Sequence, residues 1–288
     1  MPYLYLILSV IGIASASIFG GFYNRKNADR KDFVPLYSLI QLTSIFIFYT
    51  ILFVIDGTFS WEVLPYSLGF AIGFSLTMIC NIYALKTGPV VLTSLILQLS
   101  LIGVTAWGFI FWGAKFSWLI GVGLVLIVLS LWLCLYTKKQ EENKINLRWI
   151  FWVVLMFLGN SAATIIQKTQ QMQFNGQYGS FLMFVATGLS AIFALLVYLR
   201  SNKKDSRLIL KTSWYYPALS GVLNAIMNFC VILLATSTLS PSLIYPVLAI
   251  GSLAVTTVFS AFVFKEKLHW WQWCGVAVGA VAVALLSI

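Results

Sequence analysis

The 288 residues are 60% hydrophobic and only 9% charged, whereas roughly a quarter of the residues of a soluble domain are charged, so an ordinary water-soluble enzyme and a disordered chain are both excluded. The net charge of +10 does not indicate a nucleic-acid partner. The basic residues are instead sorted by membrane side, as described below, which a nucleic-acid surface would not require.

Ten apolar segments follow one another along the chain, and each is close to the 20 or so helical residues that span a bilayer core. In chain order, segments 1–10 are 3–23, 34–55, 62–85, 89–111, 117–137, 149–167, 179–199, 213–235, 241–264 and 270–287. Segment 1 has no preceding Lys or Arg and is too long for a removable signal peptide. Barrel strands alternate over about ten residues, whereas these runs are continuous. The sequence therefore predicts an all-α integral membrane protein with ten transmembrane helices.

Lys and Arg are concentrated in the loops that would share one side of the membrane. The loops between segments 1–2, 3–4, 5–6, 7–8 and 9–10 carry 16 of the 18, and the exceptions are Lys115 and Lys168. The positive-inside rule places these five loops in the cytoplasm and both termini outside, in a bacterial inner membrane.

An ordered set of residues recurs in the second half of the chain at a nearly constant offset. The pairs are Gly12/Gly159 (147), Pro65/Pro217, Gly69/Gly221 and Pro89/Pro241 (152), Phe109/Phe262 (153) and Gly121/Gly275 (154). Each copy contains five segments, and because five is odd the second copy must be inverted. The sequence thus predicts two inverted five-helix repeats, at 3–137 and 147–287, an arrangement typical of secondary transporters.

The motif SPSLIYPVL from Ser240, followed by FKEKL from Phe264 and by Gln272 and Gly275, resembles the end of an EamA-type repeat. That repeat characterises the drug/metabolite transporter superfamily, and the resemblance implies a plan of two times five helices. The first copy departs from it, since Gly113 stands where Glu266 would fall. The resemblance implies cytoplasmic termini, opposite to the charge distribution.

The eight carboxylates and the single histidine, His269, all lie in loops or at segment ends. An intramembrane ionisable group would be the usual proton relay or ion site. The sequence therefore disfavours coupling through a buried carboxylate. It also disfavours a membrane enzyme, and no metal or cofactor is predicted.

Neutral side chains within the segments are the candidates for substrate binding. They are Ser15, Gln98, Trp107, Asn160, Thr164, Asn224, Asn228 and Tyr245. Asn160 with Thr164, and Asn224 with Asn228, are spaced i, i+4 and share a helix face near mid-depth. A carboxamide facing lipid is costly, so these faces are expected to point into the bundle.

Several candidates have a structural alternative. Ser15 is able to bond its own backbone, and the asparagines and Gln98 are able to bridge helices without touching a substrate. Gly275 and Gly279 form a GxxxG pair in segment 10, which permits close packing within the chain or between two copies.

Aromatic and basic candidates carry alternatives too. Tyr245-Pro246 predicts a break at the start of segment 9, with freed carbonyls facing a ligand or a neighbouring helix. Trp107 would stack on a cation or pack against a neighbour. Lys168 would attract a substrate carboxylate or extend to the interface.

The sequence as a whole predicts a secondary transporter of a small organic metabolite, neutral or zwitterionic and amino-acid-like, that works by alternating access. Segments 1, 3, 4, 6, 8 and 9 would line its cavity. Two alternatives stay open: a transporter of a quaternary or organic amine through an aromatic site, built from faces such as those of Trp107 and Tyr245, and a non-transporting membrane sensor or assembly partner. The predicted partners are a small-molecule substrate and the lipid bilayer, with no nucleic acid.

Overall fold

A computed structural model describes residues 1–27, 30, 33–87, 90–113, 117–135, 147–201, 203–263 and 270–286. Within these residues the chain forms eleven α-helices and one 3₁₀ helix, Trp61–Val63. The α-helices are α1 (Pro2–Asn27), α2 (Phe33–Asp56), α3 (Leu64–Thr87), α4 (Val90–Phe111), α5 (Trp118–Leu135), α6 (Leu147–Gln173), α7 (Gly179–Leu199), α8 (Ser206–Ser213), α9 (Tyr215–Ala235), α10 (Pro241–Val263) and α11 (Trp270–Leu286).

Each of the ten apolar segments overlaps one of these helices, and α8 is the additional helix. By length and hydropathy α1, α2, α3, α6, α7 and α9 are able to cross a membrane. In the described parts of α4, α5, α10 and α11 the apolar stretches are shorter, between 10 and 17 residues. The protein is therefore helical and multi-pass, and the crossing by these four helices stays a prediction.

One helix end and one predicted break differ most from the sequence prediction. Segment 6 was bounded at residue 167 because a charge follows it, whereas α6 continues to Gln173 with Lys168 buried inside the bundle. Segment 9 was expected to break at Pro246, whereas α10 runs unbroken from Pro241 to Val263. Pro246 lies in the second turn, so only the carbonyl four residues earlier loses its helical partner.

The helix α8 was not predicted, because its eight residues are too few and too polar to form an apolar segment. Ile209 is buried against Tyr23 and Leu36, which belong to α1 and α2. Lys26 Nζ donates to the Thr212 carbonyl at 2.7 Å, and Arg30 donates to the Thr212 hydroxyl at 3.3 Å. These bonds hold α8 at the end of the bundle that we call the basic end. The opposite end, where the chain begins, is the N-terminal end.

The long helices pack in a defined set of pairs. The most extensive contacts join α3 to α6, α1 to α9, α5 to α11 and α2 to α7. Less extensive contacts join α2 to α9, α3 to α7, α1 to α10, α4 to α6 and α4 to α10.

Several of these pairs cross at a glycine, and the tightest contact is that of α9 with α2, where a Cβ on Gly221 would lie 2.5 Å from the Gln41 carbonyl oxygen. A Cβ on Gly12 would lie 2.7 Å from the Cβ of Met227, and one on Gly159 would lie 2.9 Å from the Gly73 carbonyl oxygen. Both distances are too short for a side chain, so α1 approaches α9, and α6 approaches α3, as closely as backbones allow.

The GxxxG pair of α11 packs within the chain. Ser130 of α5 donates from Oγ to the Gly275 carbonyl at 2.6 Å, and a Cβ on Gly279 would lie 2.7 Å from the same hydroxyl. Between the two alternatives left by the sequence, the contact of α11 with α5 in the same chain is the one formed.

Candidate functional site

Asn160 lies on α6 at mid-depth and joins that helix to α4. Its amide nitrogen donates to Ser100 Oγ at 2.6 Å, and the neighbouring Ser161 donates to the Ser100 carbonyl at 2.9 Å. Thr164 donates to the Asn160 carbonyl at 2.9 Å, within its own helix. Ser100 is therefore a polar partner of Asn160 that the sequence did not single out. The spacing of residues along α6 does not reveal which face of α4 lies against it.

Asn224 and Asn228 form a second polar pair, on α9. The amide nitrogen of Asn228 donates to the Asn224 carbonyl at 3.0 Å and to Asn224 Oδ1 at 2.9 Å. The i, i+4 spacing therefore does place both carboxamides on one face of the helix.

Both sets of carboxamides point away from the exposed sides of their helices. Val222 and Ile226 are exposed on either side of Asn224, and each lies two residues away, which is about 200° around an α-helix. Asn160 is flanked in the same way by exposed Leu158 and exposed Ala162. The polar faces of α6 and α9 are therefore turned to the interior of the bundle.

The hydrogen bonds within the described ranges use only part of these three side chains. Asn160 Oδ1 and Asn228 Oδ1 are acceptors without a protein partner there, and Asn224 Nδ2 is a donor without one. All three residues are partly accessible rather than fully buried. The interior faces of α6 and α9 thus offer two acceptors and one double donor to a bound solute.

Ser15 reaches the same depth from α1. Lys26 near the end of α1 bonds Thr212, just before α9, while Gly12 meets Met227, so the two helices run antiparallel. Three residues beyond Gly12, Ser15 is half-buried at the depth of Asn224. The side chain of the remaining polar candidate, Gln98, lies outside the described residues.

Tyr245 lies in an apolar cluster rather than on a polar wall. It is 2% exposed, and the cluster, which we call the apolar seal, consists of Leu6, Val104, Val231, Leu234, Ile244, Tyr245 and Leu248. These residues come from the start of α1, the second half of α4, the end of α9 and the start of α10. The seal therefore fills the N-terminal end of the bundle between those helices.

Trp107 is separated from the polar residues. It lies seven residues beyond Ser100 on α4, about 10 Å along the helix axis. Its ring is 38% exposed and stacks on Phe111 at 4.0 Å between centroids. The structure does not bring Trp107 together with Tyr245, which is enclosed in the apolar seal.

Lys168 does not extend to an interface, as one interpretation of the sequence held. It is only 4% exposed. Its ammonium donates to the Ala235 carbonyl, at the end of α9, at 3.0 Å, and it lies 5.5 Å from the centre of the Trp112 ring. A cation is favoured at the C-terminal end of a helix and over an indole face, so Lys168 links α6 to α9 and to the end of α4.

Buried glutamines surround Lys168 on α6. Gln167, Gln170 and Gln171 are all buried. Gln170 donates to the Gln177 carbonyl at 3.0 Å, and Gln171 donates to Gln170. This polar end of α6 was read from the sequence as a helix terminus. The i, i+3 spacing of Gln167 with Gln170 and of Lys168 with Gln171 is the signal that a helical face continues.

Five helices that carry these residues contact one another in a closed order. α6 contacts α4, α4 contacts α10, α10 contacts α1, α1 contacts α9, and α9 contacts α6. The polar faces at mid-depth lie inside this ring, with the apolar seal and Lys168 at its N-terminal end.

Part of the chain matches a known protein family, and nearly the whole chain superimposes on a solved structure. Residues 147–288 match the model of the EamA-like transporter family. No curated protein matches the sequence. One crystal structure of another protein superimposes with a TM-score of 0.75 over 99% of this chain and 98% of that one, at 10% sequence identity. At that identity the likeness shows a shared fold alone.

Proposed function

Because the chain belongs to the EamA-like transporter family, and so to the drug/metabolite transporter superfamily, we propose that it is a secondary transporter of a small organic metabolite across the bacterial inner membrane. The observation that carries this proposal is the set of uncharged carboxamides, Asn160, Asn224 and Asn228, which are turned into the ring of helices and keep donors and acceptors that no other described residue uses.

The chemistry of these groups favours a neutral or zwitterionic, amino-acid-like substrate. The oxygens of Asn160 and Asn228 suit an ammonium group, and the Asn224 amide suits a carboxylate. A solute with a net charge would have to be desolvated without an opposite charge beside it, at a cost of several kcal/mol. A zwitterion satisfies both kinds of group with no net charge buried.

The proposed mechanism is alternating access between two inverted repeats, 3–137 and 147–287. Exchanging α1 with α6, α2 with α7, α3 with α9, α4 with α10 and α5 with α11 turns most of the helix pairs of the bundle into one another. The α3–α6 pair becomes α9–α1, α4–α6 becomes α10–α1, and α2–α9 becomes α7–α3. The equivalent glycines Gly12 and Gly159 both lie at close helix crossings, which supports the same symmetry.

Three contacts have no comparable counterpart in the described part of the chain, namely α6 with α9, α5 with α10 and α3 with α4. The first of them suggests the state of the transport cycle. α6 contacts α9 at the N-terminal end through Lys168 and Ala235. Its counterpart, α1 with α3, is not in comparable contact in the described part of the chain. We take this asymmetry to represent a transporter closed at its N-terminal end. Opening that end requires Lys168 to leave the Ala235 carbonyl and the apolar seal to separate.

The amine alternative has less support. The face of Trp112, the indole nearest the apolar seal, is already occupied by the Lys168 ammonium, and a second cation there would be repelled. Trp107 and Tyr245, the aromatic pair proposed from the sequence, lie apart.

The first test is a thermal-stability screen of the purified protein against amino acids, organic amines, sugars and nucleosides. A ligand at one hundred times its Kd stabilises by about 2.7 kcal/mol, which raises the melting temperature measurably. We expect stabilisation by one or more zwitterionic amino acids. Stabilisation by quaternary amines alone would instead support the aromatic site, and no stabilisation by any class would support a non-transporting protein.

A further inference from the structure

A cavity of about 250 Å³ lies outside the ring of helices, between α2, α3 and α7. Its lining residues are Val34, Pro35, Ser38, Leu42, Ser75, Met78, Ile79, Tyr83, Ser190, Phe193, Ala194 and Val197. Tyr83, Phe193 and Val197 are substantially exposed, so the cavity is a groove that opens on the side of the bundle. We call it the lateral groove.

The groove is apolar along most of its length. The few hydroxyls in it include those of Ser75 and Ser190, which form a hydrogen bond with each other at 3.2 Å. This deep end, with buried Leu42, lies toward mid-depth of the helices. The shallow end lies at the start of α2 and at the ends of α3 and α7, which is the basic end of the bundle.

Each of the three helices presents one face to the groove, with lining residues spaced three or four apart. On α7 that face runs from Ser190 through Phe193 to Val197, and three residues later the helix is capped by Arg200, which is exposed. In the sequence, Lys86 follows Tyr83 by three residues and Lys31 precedes Val34 by three. Their side chains lie outside the described residues, whereas Arg200 is described and continues the groove face of α7.

An apolar groove that ends at a basic residue matches one kind of membrane molecule. A phospholipid has an acyl chain that fills apolar space and a phosphate that pairs with Arg. Basic pockets between helices on the cytoplasmic side are a known place for anionic headgroups. A neutral apolar solute would gain nothing from Arg200, and a zwitterionic lipid would gain less than an anionic one.

We propose that the lateral groove binds an acyl chain of an anionic phospholipid, with its phosphate at Arg200. The bound lipid packs between α2, α3 and α7, which belong to both halves of the chain. This inference does not depend on the proposed substrate or on transport activity.

The test is native mass spectrometry of the purified full-length protein, titrated with phosphatidylglycerol and, separately, with phosphatidylcholine of identical chains. We expect at least one phosphatidylglycerol to be retained more tightly than phosphatidylcholine. One basic side chain near a headgroup contributes about a fivefold preference. Arg200→Gln should remove that preference, whereas Arg207→Gln, the same change at an exposed position on α8, should keep it.

A second pair of variants tests the apolar part of the groove. Ser38→Trp fills the groove and should abolish retention of both lipids. Ile47→Trp places the same ring on the exposed, opposite side of α2 and should leave retention unchanged. Circular dichroism checks that each variant is folded, and Ala194→Phe replaces Ser38→Trp if that variant does not fold.

Three results would overturn the proposal. The first is equal retention of the two lipids by the unmodified protein. The second is the same behaviour in Arg200→Gln and Arg207→Gln, and the third is undiminished retention in a folded groove-filling variant. Displacement of both lipids by an uncharged apolar solute, with no dependence on the headgroup, would assign the groove to such solutes instead.

Discussion

Among the described residues, Asn160 and Asn228 each form hydrogen bonds that use only the donor side of the carboxamide. At the level of single residues this distinguishes a binding group from a purely structural one. Ser161 bonds Ser100 across the same interface with its only hydroxyl proton, and it is buried. Asn160 and Ser161 therefore form similar interhelical hydrogen bonds, but Asn160 is partly accessible whereas Ser161 is buried.

This difference gives a prediction for Asn160→Ala, with Ser161→Ala as its matched control. Each variant loses one interhelical hydrogen bond, which should lower the free energy of unfolding by about 1 kcal/mol. Only Asn160→Ala should also weaken binding of the stabilising solute, by about tenfold or more, because a hydrogen bond to a charged group is lost. Isothermal titration with that solute measures it, and equal affinities in the two variants would contradict the assignment.

Lys168 provides a second prediction at this scale. Lys168→Met keeps the apolar stem but removes the bond to the Ala235 carbonyl, so the N-terminal end should open more often. Loss of a charged hydrogen bond shifts such an equilibrium about tenfold or more. A single reporter cysteine at Val231, in the apolar seal, should react faster with a membrane-impermeant maleimide, in a background without the native cysteines.

The control for this experiment is Lys211→Met, which removes an exposed charge from α8 at the other end of the bundle. Its labelling rate should match that of the parent. An unchanged rate in Lys168→Met would mean that the lysine does not hold the N-terminal end closed.

At the level of helices, the glycine crossings of α1 with α9 and of α6 with α3 position two of the candidate binding residues. The crossing of α1 with α9 brings Ser15 to the depth of Asn224, and the crossing of α6 with α3 fixes the rotation of α6 that turns Asn160 inward. Because the Gly73 carbonyl oxygen and Thr77 Oγ1 would both lie 2.9 Å from a Cβ on Gly159, α6 is unable to rotate against α3 without the two helices separating.

We therefore predict that Gly12→Ala and Gly159→Ala destabilise the protein. Overpacking a tight contact costs about 1–3 kcal/mol, and both variants should melt at lower temperature in detergent. Gly69→Ala is the control, since its Cβ would meet only the movable end of the Ile166 side chain, at 3.0 Å. If all three variants melted alike, the close crossings would not be the positions that stabilise the bundle.

The differences between predicted and observed helices have a common physical cause. Continuous apolar runs identify the long helices well, because only a helix satisfies its backbone in hydrocarbon. A rule that ends a helix at the first charged residue places the end of α6 six residues too early. Lys168 is tolerated inside the bundle because the Ala235 carbonyl and the Trp112 ring stabilise its ammonium group. The same rule overlooks α8, because Ile209 is the one hydrophobic residue among its three buried residues, the others being Ser206 and Ser213.

At the level of the whole molecule, the sequence indicates which residues are polar and at what depth, but not which of them meet. The inward orientation of Asn160 and Asn228 follows from their spacing along the helix and from the free-energy cost of a carboxamide that faces lipid. The partner Ser100, the enclosure of Tyr245 and the isolation of Trp107 depend on helix rotation and on which helices are neighbours. Neither quantity is encoded in the spacing along one segment.

The distribution of 16 of the 18 basic residues gives a prediction for the entire chain, that both termini lie outside the cell. Alkaline phosphatase fused to the C-terminus should be active, whereas a fusion in the loop at residue 204 should be inactive. The reverse pattern would place the basic end outside and would exchange the two sides in the transport cycle.

The most direct measurement of the central claim is counterflow in proteoliposomes preloaded with the solute that raises the melting temperature. The account predicts saturable accumulation of labelled solute by the unmodified protein and by Ser161→Ala. It predicts a loss of about tenfold or more in folded Asn160→Ala. No accumulation of any stabilising solute, or equal accumulation in Asn160→Ala, would contradict a transporter whose uncharged carboxamides bind the substrate.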